Sequence, residues 1–366
     1  MTAKQTMSAS LVALLCAASP ALAEEPVTDD ADVQPPGEVQ PQPPPKLEMM
    51  PKRKPTGTFE IGAGYSTDDG FIASARISQP KLFGTDKGLS LSMLISKRRI
   101  ESLVRYEDPT LFDTDLRLRG DLYARKKLYT GFTRDAAGGE VSLAQRIAPN
   151  LDVYVAYKLE HVTVTDETSL FRSTTPSGEP FWRGGMIGAV RTGLLYSTLP
   201  EAERYYPRHG TTIGASIEVA DEQLGSDIQY LRTDASLGHH RPFGPFTLHL
   251  GGRVSSITDV PMSERLHFDG SSDVRGYAPG AIMPEGGNVM WTARGELETP
   301  SVAGLSLAGF VDAGGIYGRG VGESISSAGI GLIWRSPIGP LRFDWAVPLS
   351  GQDHDTRFVF GIGGMF

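Results

Sequence analysis

From Thr58 to the C-terminus, polar and apolar residues alternate with a period of two, in segments separated by turns rich in Gly, Pro, Asp and Asn. In residues 151–160 the odd positions hold Leu, Val, Val, Tyr and Leu, and the even positions hold Asp, Tyr, Ala, Lys and Glu. Successive side chains of a strand point to opposite faces, so this alternation predicts half-buried β-strands. The fold class that follows is all-β.

Strand length and charge distinguish a transmembrane barrel from a soluble β-sandwich, which shows the same alternation. Beyond residue 23 no apolar run reaches the ~20 residues of a spanning helix, and a closed barrel also satisfies every backbone amide in lipid. Many segments have the ~9–11 residues of a tilted membrane strand. Their polar faces carry opposite charges, as at Asp115, Arg117 and Arg119, which is typical of a wet lumen. We therefore predict a transmembrane antiparallel β-barrel in residues 58–366.

The barrel is predicted to have about sixteen strands, an even number as expected for bacterial single-chain barrels. The predicted strands start near residues 59, 70, 88, 100, 115, 138, 150, 184, 210, 227, 245, 288, 304, 325, 340 and 356. The longest gap between them is residues 258–287. We expect a long loop there.

The N-terminus has the features of a cleaved secretory signal peptide in residues 1–23. Lys4 precedes a short apolar stretch, and Ala21-Leu22-Ala23 is a small-residue cleavage site. The only cysteine, Cys16, lies inside this segment. We therefore expect no disulfide, thiolate metal site or cysteine nucleophile in the mature chain.

Residues 24–57 are predicted to be a proline-rich periplasmic linker. They contain nine prolines in 34 residues and few apolar side chains, so they cannot pack a core and should be extended. The basic cluster Lys52-Arg53-Lys54 at the end of the linker fits a solvated turn, and it also fits contact with anionic lipid headgroups.

The sequence has none of the common enzyme signatures. It lacks a Gly-x-Ser-x-Gly elbow, a His-Glu-x-x-His helix and a glycine-rich phosphate loop. His239-His240 and Asp353-His354-Asp355 are the clusters closest to a metal site, and both fall at predicted strand ends or turns. The formal net charge of −8 gives no basic patch for nucleic acid. We expect no enzymatic activity, no cofactor, no metal and no nucleic-acid partner.

The segment Gly270–Tyr277, which ends in Val-Arg-Gly-Tyr, resembles the (V/L)-R-G-(F/Y) signature of the outer-membrane β-barrel assembly and secretion superfamily, the BamA/TamA or bacterial surface antigen type. Further segments that resemble the family are Tyr205–Gly210 with Glu218, Gly286–Asn288, Glu296–Pro300, Phe310–Gly314, Ser336–Pro340 and the terminal Phe366. The resemblance is dense from about residue 195 to the C-terminus. It implies a barrel of sixteen strands whose sixth extracellular loop folds back into the lumen.

The same resemblance implies an anchor between this loop and the barrel wall. In the family the motif presents its arginine to the wall, which here means Arg275 between Val274, Gly276 and Tyr277. The alternation in residues 305–314 places Phe310 and Asp312 on the inner face, where a guanidinium can pair with a carboxylate and stack on a ring. Further inner-face residues that we expect to extend this network are Arg294, Glu296 and Glu298. The alternative is that Arg275 is a solvated loop residue.

The first and last strands carry glycines that predict a weak seam in the barrel. These are Gly62 and Gly64 in the first strand and Gly361, Gly363 and Gly364 in the last. Glycine weakens strands through entropy and lost side-chain packing. An opened seam would expose unpaired amides that could template an incoming strand.

The last strand also carries a candidate assembly signal. Phe358, Phe360, Ile362 and Phe366 lie on one face of it, and barrels of the resembled family end in an aromatic residue that the assembly machinery reads.

Three functions fit these observations. The first is insertion and assembly of outer-membrane proteins through the seam, the second is a polypeptide translocation pore, and the third is a structural or porin-like barrel. The expected partners are the outer-membrane bilayer of a Gram-negative bacterium and unfolded outer-membrane or secreted polypeptides. Because 34 residues cannot hold a folded POTRA domain, we also expect a separate periplasmic partner or direct capture of the client.

Overall fold

The computed structural model describes residues 57–166, 182–200, 203, 207–336, 339–350 and 356–362. The predicted signal peptide, and all of the predicted linker except Gly57, lie outside these residues. Within them, sixteen antiparallel strands form a closed barrel in which sequential strands pair and β1 closes on β16. The predicted all-β class, the closed barrel and the number of strands are confirmed.

The strands are β1 Thr58–Ser66, β2 Gly70–Gln79, β3 Gly88–Ile95, β4 Arg99–Asp108, β5 Leu116–Leu128, β6 Phe132–Ala148, β7 Leu151–Asp166, β8 Gly184–Ser197, β9 Gly210–Ala220, β10 Tyr230–Phe243, β11 Phe246–Ile257, β12 Val289–Glu298, β13 Leu305–Gly318, β14 Val321–Ser336, β15 Gly339–Pro348 and β16 Arg357–Ile362. Short 3-10 turns occupy Leu82–Gly84, Leu111–Asp113, Glu222–Leu224, Met262–Glu264 and Gly270–Ser272. In the part of the chain that the structure describes, no helix has the length and apolar character needed to cross a membrane.

Most strands begin within one residue of the predicted starts, but β6, β10 and β14 do not. β6 starts at Phe132 rather than near 138, because its first three residues are all buried and show no alternation. β10 starts at Tyr230 rather than near 227, since the chain first forms the 3-10 turn Glu222–Leu224. β14 starts at Val321 rather than near 325, because Arg319 and Gly320 both have positive φ and form the tight reversal that suits a two-residue hairpin.

The two faces of the wall differ as the alternation predicts. On β13 Val311 is 56% exposed and faces outward, whereas the next residue, Asp312, is 0% exposed and faces inward. The outer face of β3 carries only apolar side chains, which are Leu89, Leu91, Met93 and Ile95. Such an apolar outer band is what a bilayer requires of a barrel wall.

The barrel has two ends, and the connections alternate between them. β1 begins and β16 ends at one of them, which we call the terminal end. The opposite end, the loop end, carries the connection between β11 and β12. We call this connection, residues 258–288, the β11–β12 segment. It contributes to the apolar core with Val260, Met262, Leu266, Phe268, Val274, Tyr277 and Ile282, which cluster with strand residues such as Phe132, Ile187 and Ile316.

Candidate functional site

The β11–β12 segment presents Arg275 from a turn whose backbone requires glycine. The amide of Val274 donates to the carbonyl of Gly270 at 3.0 Å, and Gly276 has a φ of +95°. This left-handed region is costly for residues that carry a Cβ. A Cβ at Gly276 would also lie 3.3 Å from the Cβ of Ala346 on β15. Gly276 therefore allows both the turn and its close approach to the wall.

Arg275 makes a two-pronged ion pair with Asp312 on β13. Its Nε donates to Asp312 Oδ2 at 2.7 Å and its Nη2 donates to Asp312 Oδ1 at 2.8 Å. The backbone amide of Arg275 donates to the same carboxylate at 3.1 Å. The guanidinium carbon lies 3.5 Å from the centroid of the Phe310 ring, in the range of a cation–π contact. Planar bidentate pairing combined with stacking is specific to arginine.

Two more carboxylates join this site from neighbouring strands. Arg275 Nη1 donates to Glu296 Oε2 on β12 at 3.0 Å and to Asp344 Oδ2 on β15 at 3.2 Å. Arg342 bridges the same two carboxylates, at 2.6 Å from Glu296 and 2.8 Å from Asp344. Burial by itself would lower the pKa of Arg275, but its hydrogen bond to Asp312 and the surrounding carboxylates raise that pKa above its ordinary value. The guanidinium is therefore charged and neutralised in place.

The sequence did not single out Arg342 and Asp344, although a signal for them is present. Both alternate with apolar residues along β15 and so fall on its inner face. Nothing in the sequence shows that this face lies within reach of the β11–β12 segment.

Val274 and Tyr277 flank the arginine and pack against β13 and β14. Val274 is fully buried, and a Cβ at Gly314 would lie 2.7 Å from its Cγ2, so that glycine makes room for it. The Tyr277 hydroxyl lies 2.7 Å from the Ser326 carbonyl, contacts the carbonyl of Ser350 and accepts from the Ser350 amide at 3.2 Å.

Of the other predicted network residues, Arg294 lies at this site and Glu298 does not. Arg294 Nη2 donates to the carbonyl of Asp273 in the β11–β12 segment at 2.9 Å, and its Nε lies 4.0 Å from Asp312. Glu298 lies 3.2 Å from His249 and also pairs with Arg335. The structure therefore places Glu298 in a separate cluster, two residues beyond Glu296 along β12 and nearer the terminal end.

A second contact between the β11–β12 segment and the wall lies on β6 and was missed by sequence reasoning. Glu264 is 0% exposed, and its Oε1 accepts from Arg134 Nε at 3.0 Å. Arg134 also donates to Glu160 of β7 at 3.1 Å. Loop residues follow no periodic pattern, so nothing in the sequence marks Glu264 as different from a solvated carboxylate.

A third contact joins the same segment to β5. Asp269 accepts from Lys127 Nζ at 2.8 Å and lies 3.6 Å from Arg98. Burial would raise the pKa of Asp269, but Lys127 and the neighbouring arginines lower it to about 2. The segment is thus fixed by charge on both sides of the barrel.

Neither histidine-containing cluster is predicted to bind a metal, and His239-His240 lies inside β10 rather than at a strand end or turn. His239 and His240 lie on β10, where His239 Nδ1 is 2.8 Å from Thr211 Oγ1 and His240 Nδ1 is 2.8 Å from His249 Nδ1. Residues 353–355 lie outside the described chain. Among the residues that are described, no group of three or more His, Cys, Asp or Glu side chains is arranged to hold a metal ion.

At the seam, Gly64 of β1 lies directly opposite Gly361 of β16, and Ser66 lies opposite Val359. Gly62 is on the same inner face of β1. The predicted seam residues Gly363 and Gly364 lie outside the described residues, as does Phe366 of the predicted assembly signal.

The remaining residues of the predicted assembly signal lie on β16. The Phe343 ring of β15 stacks on Phe358 at 6.2 Å and contacts Phe360 at 5.4 Å. Ile362 is paired through its backbone with Ala63 of β1 and Leu341 of β15.

The loop end of the seam carries additional contacts. The rings of Tyr65 and Phe358 stack at 5.5 Å across it. Asp68, in the turn after β1, accepts from Arg357 Nη1 of β16 at 2.8 Å. The other oxygen of Asp68 accepts from the hydroxyl of Ser271 in the β11–β12 segment at 2.8 Å. The Asp68 carboxylate, on the β1 side of the seam, thus contacts both β16 and the β11–β12 segment.

Comparison with known proteins identifies the family. The model of the Omp85 superfamily domain matches residues 81–366. The chain belongs to the Omp85 superfamily. With its closed sixteen-stranded barrel, this Omp85 chain is an outer-membrane protein of the Gram-negative type.

Two curated relatives are similar over most of this chain. The outer membrane protein assembly factor BamA of Nitratidesulfovibrio vulgaris is 26% identical over 352 residues, which is 87% of this chain and 43% of the relative. BamA of Neisseria meningitidis serogroup B is 25% identical over 386 residues, 87% of this chain and 48% of the relative. This Omp85 chain therefore spans less than half the length of these relatives.

Solved structures share the fold. The crystal structure of BamA from Haemophilus ducreyi lacking POTRA domains 1–3 matches with a TM-score of 0.71 at 20% identity, covering 84% of this chain and 70% of that one. CdiB from Acinetobacter baumannii matches with a TM-score of 0.58 at 12% identity, covering 84% and 59%. At these identities the likeness shows the fold alone.

Proposed function

We propose that this chain is an outer-membrane protein assembly factor that inserts unfolded outer-membrane polypeptides into the bilayer through a seam between β1 and β16. Family membership and the relatives named as assembly factors support the general role. The observation that carries the mechanism is the short described pairing at this seam, which covers only Ala63–Ser66 of β1 and sets Gly64 against Gly361 of β16. Because neither residue has a side chain, this pair contributes no cross-strand packing, which is the main stabilising contact between paired strands.

The contacts at the loop end support a proposal that the seam opens from the terminal end. Tyr65 and Phe358 stack there, and Asp68 pairs with Arg357, whereas the glycine pair lies further toward the terminal end. In the proposed orientation the terminal end faces the periplasm, from which an unfolded client arrives. We infer that opening starts at the terminal end, and that a client strand pairs with the exposed edge of β1 by β-augmentation.

The β11–β12 segment is proposed to lie in the lumen and to fix the wall while the seam opens. Arg275 connects the segment to β12, β13 and β15 through Glu296, Asp312 and Asp344. Glu264 connects it to β6 on the other side. A segment tied to both sides would keep the remaining strands in register when β1 and β16 separate.

The buried charges of the inner wall weigh against the translocation pore and the porin-like barrel. Lys158 and Arg191 pair with Glu218 at 2.9 and 2.7 Å, and all three are at most 5% exposed in their side chains. Wall residues of a water-filled pore would be accessible to solvent. The proposed function has no enzymatic step, and a separate periplasmic partner would deliver the client.

Reconstitution tests the proposal. The purified chain is placed in phospholipid vesicles, an unfolded outer-membrane barrel protein is added, and its folding is followed by heat-modifiable migration. A barrel of an unrelated family in the same vesicles is the control, and each sample is run with and without a soluble periplasmic extract. We expect faster client folding than in the control vesicles and little ion conductance. Client folding at the control rate in both samples would refute the assembly role, and large steady conductance would favour the pore.

A further inference from the structure

Two turns at the terminal end carry the same short sequence. Residues 80–86, between β2 and β3, read Pro-Lys-Leu-Phe-Gly-Thr-Asp, and residues 109–115, between β4 and β5, read Pro-Thr-Leu-Phe-Asp-Thr-Asp. Five of the seven positions are identical. We call these segments the twin turns.

The twin turns also fold in the same way. Phe83 has φ 52° and ψ 26°, and Phe112 has φ 55° and ψ 34°. In each turn the threonine two residues later closes the loop, since Thr85 Oγ1 donates to the Leu82 carbonyl at 2.7 Å and Thr114 Oγ1 donates to that of Leu111 at 2.7 Å. The repeated sequence thus encodes one repeated backbone conformation.

Both phenylalanines are held in a costly conformation and bury almost nothing within the chain. The left-handed region crowds the Cβ of every residue except glycine, and a bulky residue there is an outlier. Phe83 is nevertheless 95% exposed and Phe112 is 86% exposed. Strained positions of this kind cluster at functional sites. In both turns the strained residue presents a large apolar ring that points away from the barrel.

The twin turns continue the apolar outer band of the wall. Leu89 is the second residue of β3 after the first turn, and Leu116 is the first residue of β5 after the second. The outward rows that begin with these leucines face the bilayer. The phenylalanines therefore lie where the lipid-facing band ends, which is the depth at which aromatic side chains are enriched in membrane proteins.

The charges near the rings do not favour electrostatic attraction to a lipid surface, because the second turn carries Asp113 and Asp115 and no basic residue. Lys81 and Asp86 of the first turn are exposed and weakly paired at 3.8 Å, so the turn has no excess of either charge there. Lys87 Nζ lies 2.7 Å from Asp108 Oδ2 and joins the end of the first turn to the start of the second. The salt bridge thus links the two turns that carry the rings. Attraction of the rings to a lipid surface would be hydrophobic and not electrostatic.

We propose that Phe83 and Phe112 form a two-pronged lipid anchor that inserts into the phospholipid leaflet at the terminal end of the barrel. The ligand is the acyl and glycerol region of a phospholipid. The anchor lies beside the seam, because the first turn follows β2, the neighbour of β1. It does not depend on insertase activity, since it requires only that the barrel lie in a bilayer.

Site-directed fluorescence in vesicles tests the anchor. In a Cys16→Ser background, Phe83→Cys and Phe112→Cys are each labelled with an environment-sensitive nitrobenzoxadiazole probe and folded into phosphatidylcholine vesicles. Asp86→Cys, on the same turn, is the matched control for a water-exposed position. Leu91→Cys, on the outer face of β3, is the control for a position inside the bilayer. Folding of every variant is checked first by heat-modifiable migration.

We expect both phenylalanine-site probes to be quenched by phosphatidylcholine that carries a nitroxide near the headgroup. We also expect them to be protected from aqueous iodide at least several-fold relative to the Asp86 probe, with no effect of added salt on the lipid quenching. Iodide quenching equal to that of the Asp86 probe at either phenylalanine would overturn the two-pronged anchor. Lipid quenching that disappears at high salt would overturn its apolar basis.

Discussion

Arg275 carries a charge into a site where its side chain is only 10% exposed, and three carboxylates on different strands neutralise it there. A buried charge is expensive unless it is both paired and hydrogen-bonded, and removing one partner leaves the other uncompensated. This effect should be largest for Asp312, because its side chain is fully buried and accepts three hydrogen bonds from Arg275. Loss of either partner of this pair is therefore expected to destabilise the β11–β12 segment.

The first residue-scale prediction is a double-mutant cycle on this pair. Arg275→Ala should lower the free energy of unfolding by roughly 3–5 kcal/mol, because the buried Asp312 loses its bidentate partner. Asp312→Ala should cost less, because Glu296 and Asp344 still pair with Arg275, and the double variant should lose little more than Arg275→Ala alone. The measurements are the heat-modifiable melting midpoint and protease cleavage within residues 258–288. Arg275→Lys is the matched control that keeps the charge but cannot pair in two prongs or stack, and it should fall between wild type and alanine. Strictly additive losses would show that the two residues do not interact.

The second residue-scale prediction concerns pH. The pKa of Asp269 is lowered to about 2, below the ordinary 3.8 of an aspartate, so its ionised form is favoured in the folded state. A depressed folded-state pKa adds stability that is fully present above the unfolded pKa and is lost as pH falls through the folded value. The difference corresponds to about 2 kcal/mol. Asp269→Asn should therefore destabilise the barrel at neutral pH and flatten the loss of stability between about pH 4 and pH 2.

Melting midpoints at stepped pH check this prediction, with Asp86→Asn as the control at an exposed carboxylate of a turn. An Asp269→Asn profile parallel to that of the wild type would contradict it.

At the scale of elements, strand number and strand faces could be predicted because alternation reports directly on the two sides of a wall. The starts of β6, β10 and β14 could not, since the pattern there is interrupted. Residues 132–134 are all buried, and Phe132 and Arg134 contact His267 and Glu264 of the β11–β12 segment. The 3-10 turn Glu222–Leu224 delays β10, and the turn at Arg319 and Gly320 brings β14 in early. These differences arise from tertiary packing and turn geometry, which the alternation of polar and apolar residues does not report.

Some residues of the candidate site could likewise be predicted from the sequence, and others could not. Arg275, Phe310 and Asp312 could be selected from a motif and from the face of β13 on which they fall. Arg342 and Asp344 lie on a face that could be read from the sequence, but their distance to the loop could not. Glu264 and Asp269 lie in irregular chain, where contacts depend on the complete fold.

The last strand gives a prediction at the element scale. Phe358 and Phe360 pack on Phe343, and the terminal Phe366 is predicted to extend this aromatic row as an assembly signal. Deleting Phe366 should lower the folded, heat-modifiable fraction in the membrane several-fold, whereas Phe366→Tyr should keep most of it. A deletion variant that folds to the wild-type level would remove the proposed role of this residue.

At the scale of the whole molecule, we propose that the barrel wall opens at one place, between β1 and β16. Most of the wall is held by cross-strand packing and by the charged contacts of the β11–β12 segment on β5, β6, β12, β13 and β15. Among the described residues the joint between β1 and β16 is the shortest pairing in the wall, since it covers only Ala63–Ser66 of β1 and includes Gly64 against Gly361. Glycines also face each other on β10 and β11, Gly238 against Gly251, but there the pairing runs from Arg232 to Phe243. A protein that must open laterally and then close again needs both properties together.

Locking the seam tests this account most directly. Ala63 of β1 lies opposite Ile362 of β16, the described seam pair nearest the terminal end. Ala63→Cys with Ile362→Cys in a Cys16→Ser background should therefore form a disulfide across the part of the seam that is proposed to open first. The control is Thr233→Cys with Ser256→Cys, which joins β10 to β11 where the two native hydroxyls are 2.8 Å apart. The rate of client folding is measured in vesicles, before and after reduction. We predict that the oxidised seam abolishes the acceleration, that reduction restores it, and that the oxidised control pair has no effect. Full acceleration by a quantitatively oxidised seam would contradict insertion between β1 and β16.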